Sequence, residues 1–182
     1  MLIKFFIIIT IFFNFFLRLH ADEKQLIINK LINTRNITFD FKQNTNKKEE
    51  KGKCVLVFDN KLNCNYRDSM QKEVLINGKT LVVKHNRYNK IYYYPISNSP
   101  FMKILNKDNL INLIQKSNYK LNDNIELVYL DKNKRKITIF FNKNNYELIG
   151  WRVDDKLQNV INFSLKIQSI NTEFDPTIFK IP

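Results

Sequence analysis

Residues 52–66, GKCVLVFDNKLNCNY, place the strongest constraint on what this chain can fold into. They contain both cysteines, in two runs rich in β-branched and apolar residues, with Asp59, Asn60 and Lys61 between them. Asp and Asn favour turns because they tolerate unusual backbone angles and bond their own main chain. The stretch therefore predicts a hairpin of strands 54–58 and 62–66. If its turn is centred on Asp59, Cys54 and Cys64 face each other across the ladder.

The N-terminus has the layout of a secretory signal peptide. A single early charge, Lys4, precedes the apolar run FFIIITIFFNFFL, and the small residue Ala21 comes before Asp22. The run is shorter than the roughly 20 residues that span a bilayer. A signal cleaved after Ala21 is therefore favoured over an uncleaved membrane anchor, and residues 22–182 are expected to form one exported domain.

The chain is basic, with a formal net charge of +13. Basic proteins can bind nucleic acid or anionic membranes. Here the lysines are scattered along the whole length, and an exported protein does not meet nucleic acid. We therefore expect no nucleic-acid partner, and we interpret the charge as a solvated surface, with anionic lipid head groups as the alternative contact.

Two cysteines in an exported chain permit a disulfide. A redox pair would favour a Cys-x-x-Cys motif at a helix start, whereas Cys54 and Cys64 lie on predicted strands. A structural disulfide between Cys54 and Cys64 is the favoured interpretation, and two free thiols in the core are the alternative.

The remaining pattern predicts mostly antiparallel β structure. Apolar spacing favours a short helix over residues 22–33, and alternation favours a strand over 37–43, followed by an exposed loop over 44–51. Asn77-Gly78 marks a hairpin between strands 73–76 and 79–84. Later segments predict two helices with Pro100 in a first turn and Asp108 as an N-cap. Further strands are predicted over 91–95, 125–130, 136–141, 147–154 and 160–170, with a possible short one over 177–181.

Many predicted strands have apolar residues at both odd and even positions, and therefore on both faces, as in Val55 to Phe58 and Tyr92 to Tyr94. A sheet with one face in water alternates more cleanly. Both faces are therefore expected to pack against apolar groups, either helices or an apolar ligand in a cavity.

Catalysis has little support in the sequence. After signal cleavage the only histidine is His85, in a predicted turn beside Lys84. No Gly-x-Ser-x-Gly or His-x-x-x-His motif and no Gly-rich phosphate loop is present. The Asp154-Asp155 pair precedes Lys156 and is interpreted as a turn rather than a cation site. We expect a protein that is not an enzyme, with no cofactor and no metal.

The order of several short motifs resembles the periplasmic outer-membrane lipoprotein carrier family, the LolA-like proteins. These motifs cover essentially the whole mature chain. They are Phe41-Lys42-Gln43 at a strand end, Gly52-x-Cys54-x-Leu56, Leu62-Asn63-Cys64-x-Tyr66, the run from Leu75 to Leu81, Ser99-Pro100-Phe101-Met102, Trp151-Arg152-Val153-Asp154 and Phe179-x-x-Pro182.

The resemblance implies an α+β fold that is mostly antiparallel, an incomplete, half-open β-barrel with short helices as a lid over an apolar cavity. It implies a periplasmic carrier, expected to be a monomer, that binds acyl chains of lipoproteins. Its partners would be acylated lipoproteins, an inner-membrane ABC-type lipoprotein exporter and an outer-membrane receptor. The predicted lining of the cavity is Leu26, Phe39, Phe41, Leu56, Cys64, Tyr92, Tyr94, Phe101, Met102, Leu105, Trp151 and Phe163.

One departure from the family concerns the turn of the 52–66 hairpin. The family usually has Arg-Pro there, with the Arg tied to lid closure and cargo release, whereas this chain has Phe58 and Asp59. A phenyl ring can pack but cannot bond carbonyl groups as a guanidinium does. Either apolar contact holds the lid here or cargo transfer differs. Lipoprotein-sensing envelope-stress regulators share the fold, so the fold leaves that role open.

Overall fold

The structure is a computed structural model that describes residues 23–46, 48–58, 60–96, 104–131, 134–154 and 160–182. The predicted signal peptide, residues 1–21, lies outside these ranges. So do the predicted site residues Asp59, Phe101 and Met102.

Strands make up most of the described chain. Helix α1 covers residues 23–32 and helix α2 covers Lys107–Lys116, and residues 104–105 are helical as well. Single 3₁₀ turns cover Asn86–Tyr88 and Pro176–Phe179. The strands are β1 (Asn36–Thr45), β2 (Lys48–Val57), β3 (Lys61–Tyr66), β4 (Lys72–Asn77), β5 (Thr80–His85), β6 (Lys90–Pro95), β7 (Asn118–Leu121), β8 (Ile125–Leu130), β9 (Lys136–Phe141), β10 (Leu148–Asp154) and β11 (Val160–Ile170).

All eleven strands form one antiparallel sheet in the order β6-β5-β4-β3-β2-β1-β11-β10-β9-β8-β7. The pairing of β1 with β11 joins two meanders, and β6 and β7 form the two edges of the sheet among the described strands. Side chains of β4 and β10 line one common cavity although four strands separate them, so the sheet curls strongly. The predicted class is confirmed: an incomplete, mostly antiparallel barrel with short helices.

The β2–β3 hairpin has the predicted register. Cys54 lies opposite Cys64 and Leu56 lies opposite Leu62, as a turn centred between the strands requires. Asn60 adopts a positive φ of 60° in this turn. Asn is one of the few residues that enter this left-handed region readily, which is why an Asn-rich chain can make so many tight turns.

Several local predictions were wrong. Residues 44–51 are not a loop, because β1 continues to Thr45 and β2 begins at Lys48. Their charged side chains pair across the ladder instead, as in the Lys42–Glu49 ion pair. Helix α2 is capped by Asn106, whose side chain accepts from the Asn109 N–H, and Asp108 lies in the first turn. The segment predicted as a last strand forms the 3₁₀ turn.

Helices α1 and α2 lie antiparallel on the concave face of the sheet. The Lys24 ammonium at the start of α1 donates to the Ser117 carbonyl (2.6 Å) just beyond α2. At the other end, the Lys107 ammonium donates to the Ile32 carbonyl (3.2 Å). Ile27 and Leu110 are fully buried from solvent and join the same core as the concave side chains of the sheet. The helices therefore cover part of the concave face.

A second, smaller core lies on the convex face. The C-terminal segment crosses β3 and β4 and places Phe179 against Leu75 and Val82. The amide of Asn63 donates to the Ile178 carbonyl (2.8 Å) and holds the segment in place. These contacts explain why β2, β4 and β5 are apolar at both parities. The chain itself supplies the second apolar layer.

Within the described ranges, no helix combines the length and the apolar character that crossing a bilayer requires.

Candidate functional site

A cavity of about 300 Å³ lies on the concave side of the sheet, between the β3–β5 and β10–β11 regions. Its walls are almost entirely apolar. Several lining residues, among them Tyr66, Val74 and Ile161, are only partly buried, so the cavity reaches solvent. The lining residues are Gln43, Leu62, Cys64, Tyr66, Val74, Ile76, Leu81, Ile96, Trp151, Val153, Ile161 and Phe163.

Strand alternation places these residues together. Side chains at every second position of a strand point to the same face. On β3 this selects Leu62, Cys64 and Tyr66, and cross-strand pairing places Val74 opposite Cys64 and Ile76 opposite Leu62. The concave face is therefore a continuous apolar surface across this half of the sheet.

An aromatic stack forms one wall of the cavity. The Trp151 and Phe163 rings are stacked with their centroids 4.2 Å apart. Phe163 also stacks on Phe41, at 5.1 Å, and Phe41 meets the edge of Tyr66 at 4.8 Å. Contacts of this kind add to the stabilisation from burial alone.

A partly buried ion pair lies beside the Tyr66 side of the cavity. The Lys72 ammonium bonds the Glu50 carboxylate at 2.5 Å and lies 3.7 Å from the centroid of the Tyr66 ring. The side chains of Lys72 and Glu50 are 17% and 12% exposed. Lys48 donates to the same carboxylate oxygen at 2.8 Å.

Burial alone would raise the pKa of Glu50. The bonds from Lys48 and Lys72 outweigh this and hold the pKa below its usual value. Burial, together with the charges of Glu50 and Asp68, raises the pKa of the Tyr66 phenol, which therefore stays neutral. The phenol therefore presents no charge to the cavity, and the two ammonium groups neutralise the carboxylate beside it.

The predicted lining residues fall into four groups. Cys64, Trp151 and Phe163 line the cavity. Four others are buried in the core: Phe39, Phe41, Leu56 and Leu105. Leu26, Tyr92 and Tyr94 are 40%, 42% and 47% exposed. Phe101 and Met102 lie outside the described residues. Contact of any of these side chains with an acyl chain stays a prediction.

The sequence analysis did not single out several lining residues. Val74, Leu81, Val153 and Ile161 are ordinary apolar strand residues, and Gln43 is polar. Pairing of β3 with β4 could have found Val74, which lies opposite Cys64, and the Asn77-Gly78 hairpin could then have found Leu81, which lies opposite Ile76. The β10 and β11 residues depend on how strongly the sheet curls, and no local signal reports that curvature.

A disulfide joins Cys54 and Cys64 across the β2–β3 ladder, with their Cα atoms 4.1 Å apart. Phe58, at the end of this hairpin, is only 4% exposed and contacts the core. The Lys107 ammonium lies 5.6 Å from the centroid of the Phe58 ring, so the start of α2 rests against the hairpin end. That this contact replaces the Arg that the resemblance places at the hairpin turn stays a prediction.

The described residues contain no group of three or more His, Cys, Asp or Glu side chains that could hold a metal ion. His85 ends β5 instead of lying in a turn, and its ring contacts the Met70 sulfur (3.1 Å) and the edge of Tyr92. Asp154 accepts a hydrogen bond from Arg152 at 2.6 Å.

Solved structures with a similar fold were found at low sequence identity. An uncharacterized conserved protein from Thermus thermophilus superposes with a TM-score of 0.56 at 9% identity, covering 89% of this chain and 94% of that one. The lipoprotein LppX of Mycobacterium tuberculosis gives 0.50 at 12% identity, covering 87% and 98%. A LolA superfamily protein from Nitrosomonas europaea gives 0.43 at 11% identity, covering 86% and 97%. The likeness to the first two, at such identities, shows the fold alone.

No curated protein sequence matches the chain significantly. The family model described as "Outer membrane lipoprotein carrier protein LolA" matches residues 33–182, which include every strand of the sheet and the whole lining of the cavity. The chain therefore belongs to the LolA family.

Proposed function

We propose that this protein is a periplasmic carrier that holds the acyl chains of lipoproteins between the inner and the outer membrane. The observation that supports this function best is the apolar cavity of about 300 Å³ on the concave face of the curled sheet. Membership of the LolA family supports the same role. The partners of such a carrier are acylated lipoproteins, an inner-membrane ABC-type exporter and an outer-membrane receptor, and residues 1–21 would direct its export.

The size of the cavity sets how much lipid it can take in this conformation. At roughly 30 Å³ for each water-sized group, a cavity of about 300 Å³ holds about ten methylene groups. Burying ten methylenes at about 0.8 kcal/mol each would contribute about 8 kcal/mol before the entropy cost of binding. The cavity therefore fits part of one fatty acyl chain, and an anchor with several chains requires it to widen.

A series of fatty acids of increasing length, competing with a fluorescent fatty acid, tests the proposal directly. Affinity should rise with each added carbon up to about ten carbons and then level off. The gain in affinity for each added carbon should change little with salt, because the uncharged part of the chain in an apolar cavity is not screened. Steep loss of binding in high salt would instead indicate a protein that grips anionic head groups.

A matched pair of variants locates the binding site. Ile161 lines the cavity, and its neighbour Asn162 faces the opposite side of the sheet and is exposed. Ile161→Lys places an ammonium beside the cavity and should weaken binding of the fluorescent fatty acid at least tenfold, because a charge in an apolar site is costly. Asn162→Lys adds the same charge and should leave binding unchanged. Equal binding by the two variants would place the lipid elsewhere.

Mass spectrometry of lipids and proteins that co-purify from the periplasm tests the physiological cargo. Triacylated or diacylated proteins, together with components of an exporter, are expected. Co-purification with a membrane-anchored signalling protein and without acylated cargo would indicate a lipoprotein-sensing regulator.

A further inference from the structure

The β6 strand is a long free edge with exposed aromatic side chains. It is one end of the sheet, and of the described strands only β5 pairs with it. Ile91, Tyr92, Tyr93 and Tyr94 are 43%, 42%, 53% and 47% exposed. Exposed edge strands are usually short or blunted because they can pair with another chain. The opposite edge, β7, has four residues, whereas β6 has six.

The hydrogen-bond pattern shows which backbone groups are available. The Ile96 N–H donates to the Lys79 carbonyl at 3.2 Å, and Tyr94 pairs with Leu81. Bonded pairs alternate in an antiparallel ladder, so Tyr92 and Tyr94 bond to β5. The N–H and C=O groups of Ile91 and Tyr93 therefore point away from the sheet, in the spacing that an added strand would use.

The charge around this edge is positive and largely uncompensated. From Val74 to Lys107 the sequence contains no Asp or Glu. Lys84 pairs with Glu73 at 3.0 Å, but no ion pair involves Lys79, Arg87 or Lys90 in the described part of the chain. An acidic segment would complement this edge, whereas a second copy of the basic strand would be repelled.

The edge leads directly to the cavity. Ile96 follows Pro95 at the end of β6 and lines the cavity, and so does Leu81, the partner of Tyr94. A segment added antiparallel to β6 would begin at the Pro95 end and run toward Lys90. Its N-terminus would lie at the cavity, where an acyl group on that terminus could enter.

We infer that β6 binds, as an added antiparallel strand, an extended acidic segment that follows the acylated N-terminus of the cargo. This inference rests on the proposed function, because it assigns the polypeptide part of the same ligand. Backbone bonds to Ile91 and Tyr93 hold the segment, the tyrosines flank it, and Lys79, Arg87 and Lys90 select for acidic side chains. The cavity binds the lipid, and β6 chooses among lipidated chains.

Four probes separate lipid binding from peptide binding. They are free palmitate, an N-palmitoylated peptide of alternating Glu and Val, the same palmitoylated peptide with Lys for Glu, and the acidic peptide with an N-acetyl group only. The acidic acyl-peptide should bind about tenfold more tightly than the basic one. Equal binding of the two would overturn the inference. Binding of the acetylated acidic peptide without binding of palmitate would overturn the proposed function and leave the β6 site standing.

A pair of variants at Tyr93 tests the backbone contact. Tyr93→Pro removes an N–H that faces away from the sheet, a position where edge strands accept proline. Tyr93→Ala removes the same ring and its bond to the Pro182 carbonyl (3.1 Å) but keeps the N–H. The proline variant should lose the preference for the acidic acyl-peptide, the alanine variant should keep most of it, and both should bind palmitate as the wild type does. Equal loss in both variants would overturn strand addition.

A measurement on the unmodified protein covers the case in which Tyr93→Pro does not fold. An acidic acyl-peptide N-methylated at alternate residues cannot donate to the edge and should bind about tenfold more weakly than the parent. Amide hydrogen exchange at Ile91 and Tyr93 should slow only with the parent peptide. Unchanged exchange at Ile91 and Tyr93 would refute a peptide site. Equally tight binding of this edge to vesicles of anionic lipid would refute it as well and would indicate a membrane contact.

Discussion

Phe41 on β1 lies directly opposite Gly52 on β2, and its ring fills the space that a side chain on Gly52 would need. A Cβ atom at Gly52 would lie 2.6 Å from ring carbon Cε1 of Phe41 and 2.2 Å from the backbone oxygen of Asn65. Phe41 in turn stacks on Phe163, which lines the cavity. The aromatic wall therefore depends on the missing side chain at Gly52.

Gly52→Ala is expected to cost about 2–4 kcal/mol of the free energy of unfolding, because a backbone oxygen at 2.2 Å cannot move aside as a side chain could. Urea denaturation measures the difference. Gly78→Ala is the matched control. No atom lies within 4 Å of its Cβ position, and only its φ of +61° is unfavourable, so it should cost about 1 kcal/mol. A Gly52→Ala cost no larger than the Gly78→Ala cost would contradict the close packing.

Thiol titration of the purified, unreduced protein should find no free thiol, since Cys54 and Cys64 are joined. The double variant Cys54→Ser/Cys64→Ser should lose about 2–3 kcal/mol of the free energy of unfolding, because the bond restricts the unfolded chain. Reduction of the wild type should lower its stability similarly, and the reductant should leave the double variant unaffected. Two titratable thiols in the unreduced protein would refute the Cys54–Cys64 disulfide.

Stability should fall in acid partly through Glu50. Its pKa in the folded protein lies below the usual 4.5, because the bonds from Lys48 and Lys72 outweigh its burial. Its contribution is therefore present above about pH 4.5 and is lost as the pH falls through the lowered folded-state pKa. Glu50→Gln should lower the thermal midpoint at neutral pH. The difference in thermal midpoint between the variant and the wild type should disappear in acid.

Glu49→Gln is the control for this pH dependence. The bonds from Lys42 and Lys51 lower the pKa of Glu49 to about 2, but its carboxylate is exposed. Solvent screens such pairs, so Glu49→Gln should shift the thermal midpoint much less than Glu50→Gln at neutral pH. Equal shifts in the two variants, or a difference between Glu50→Gln and the wild type that persists in acid, would show that the partly buried Glu50–Lys72 pair is not the source of the pH dependence.

Phe58 should hold the end of the hairpin against the helices. It is 4% exposed and contacts the core, and Lys107 of α2 lies over its ring. Phe58→Ala should cost about 3–5 kcal/mol through the cavity that it leaves. Phe58→Leu, which keeps most of the volume, should cost about 1 kcal/mol. Chemical denaturation distinguishes them. A Phe58→Ala cost near that of a surface substitution would show that apolar contact does not close this end.

Much of the fold class could be predicted from local sequence patterns. The Asp59-Asn60 turn, the Asn77-Gly78 turn and the alternation of β11 lie within a few residues of the strands that they define, so the sequence reports them directly. The β1–β2 hairpin was missed because its charged residues carry no apolar alternation, and they pair across the ladder through contacts such as Lys42–Glu49.

The candidate site was less accessible to the sequence. Cys64, Trp151 and Phe163 belong to motifs that resemble the family, and they line the cavity. Phe39 and Leu56 have the same parity and chemistry but are buried in the core. Parity tells which face a side chain occupies, and only the curvature of the sheet and the position of the helices decide whether that place is packed or hollow.

The sequence by itself determined an antiparallel, hairpin-rich chain, the register that brings Cys54 opposite Cys64, and the resemblance to LolA-like carriers. Tertiary structure decided that β4 and β10 face each other across a cavity and that the C-terminal segment covers the convex face of β3 and β4. It also decided that β6, among the described strands, pairs only with β5. The physical reason is the distance along the chain over which each interaction acts. Turn chemistry and strand alternation act between neighbours in the chain, whereas sheet curvature sums small twists over eleven strands and brings together residues far apart in sequence.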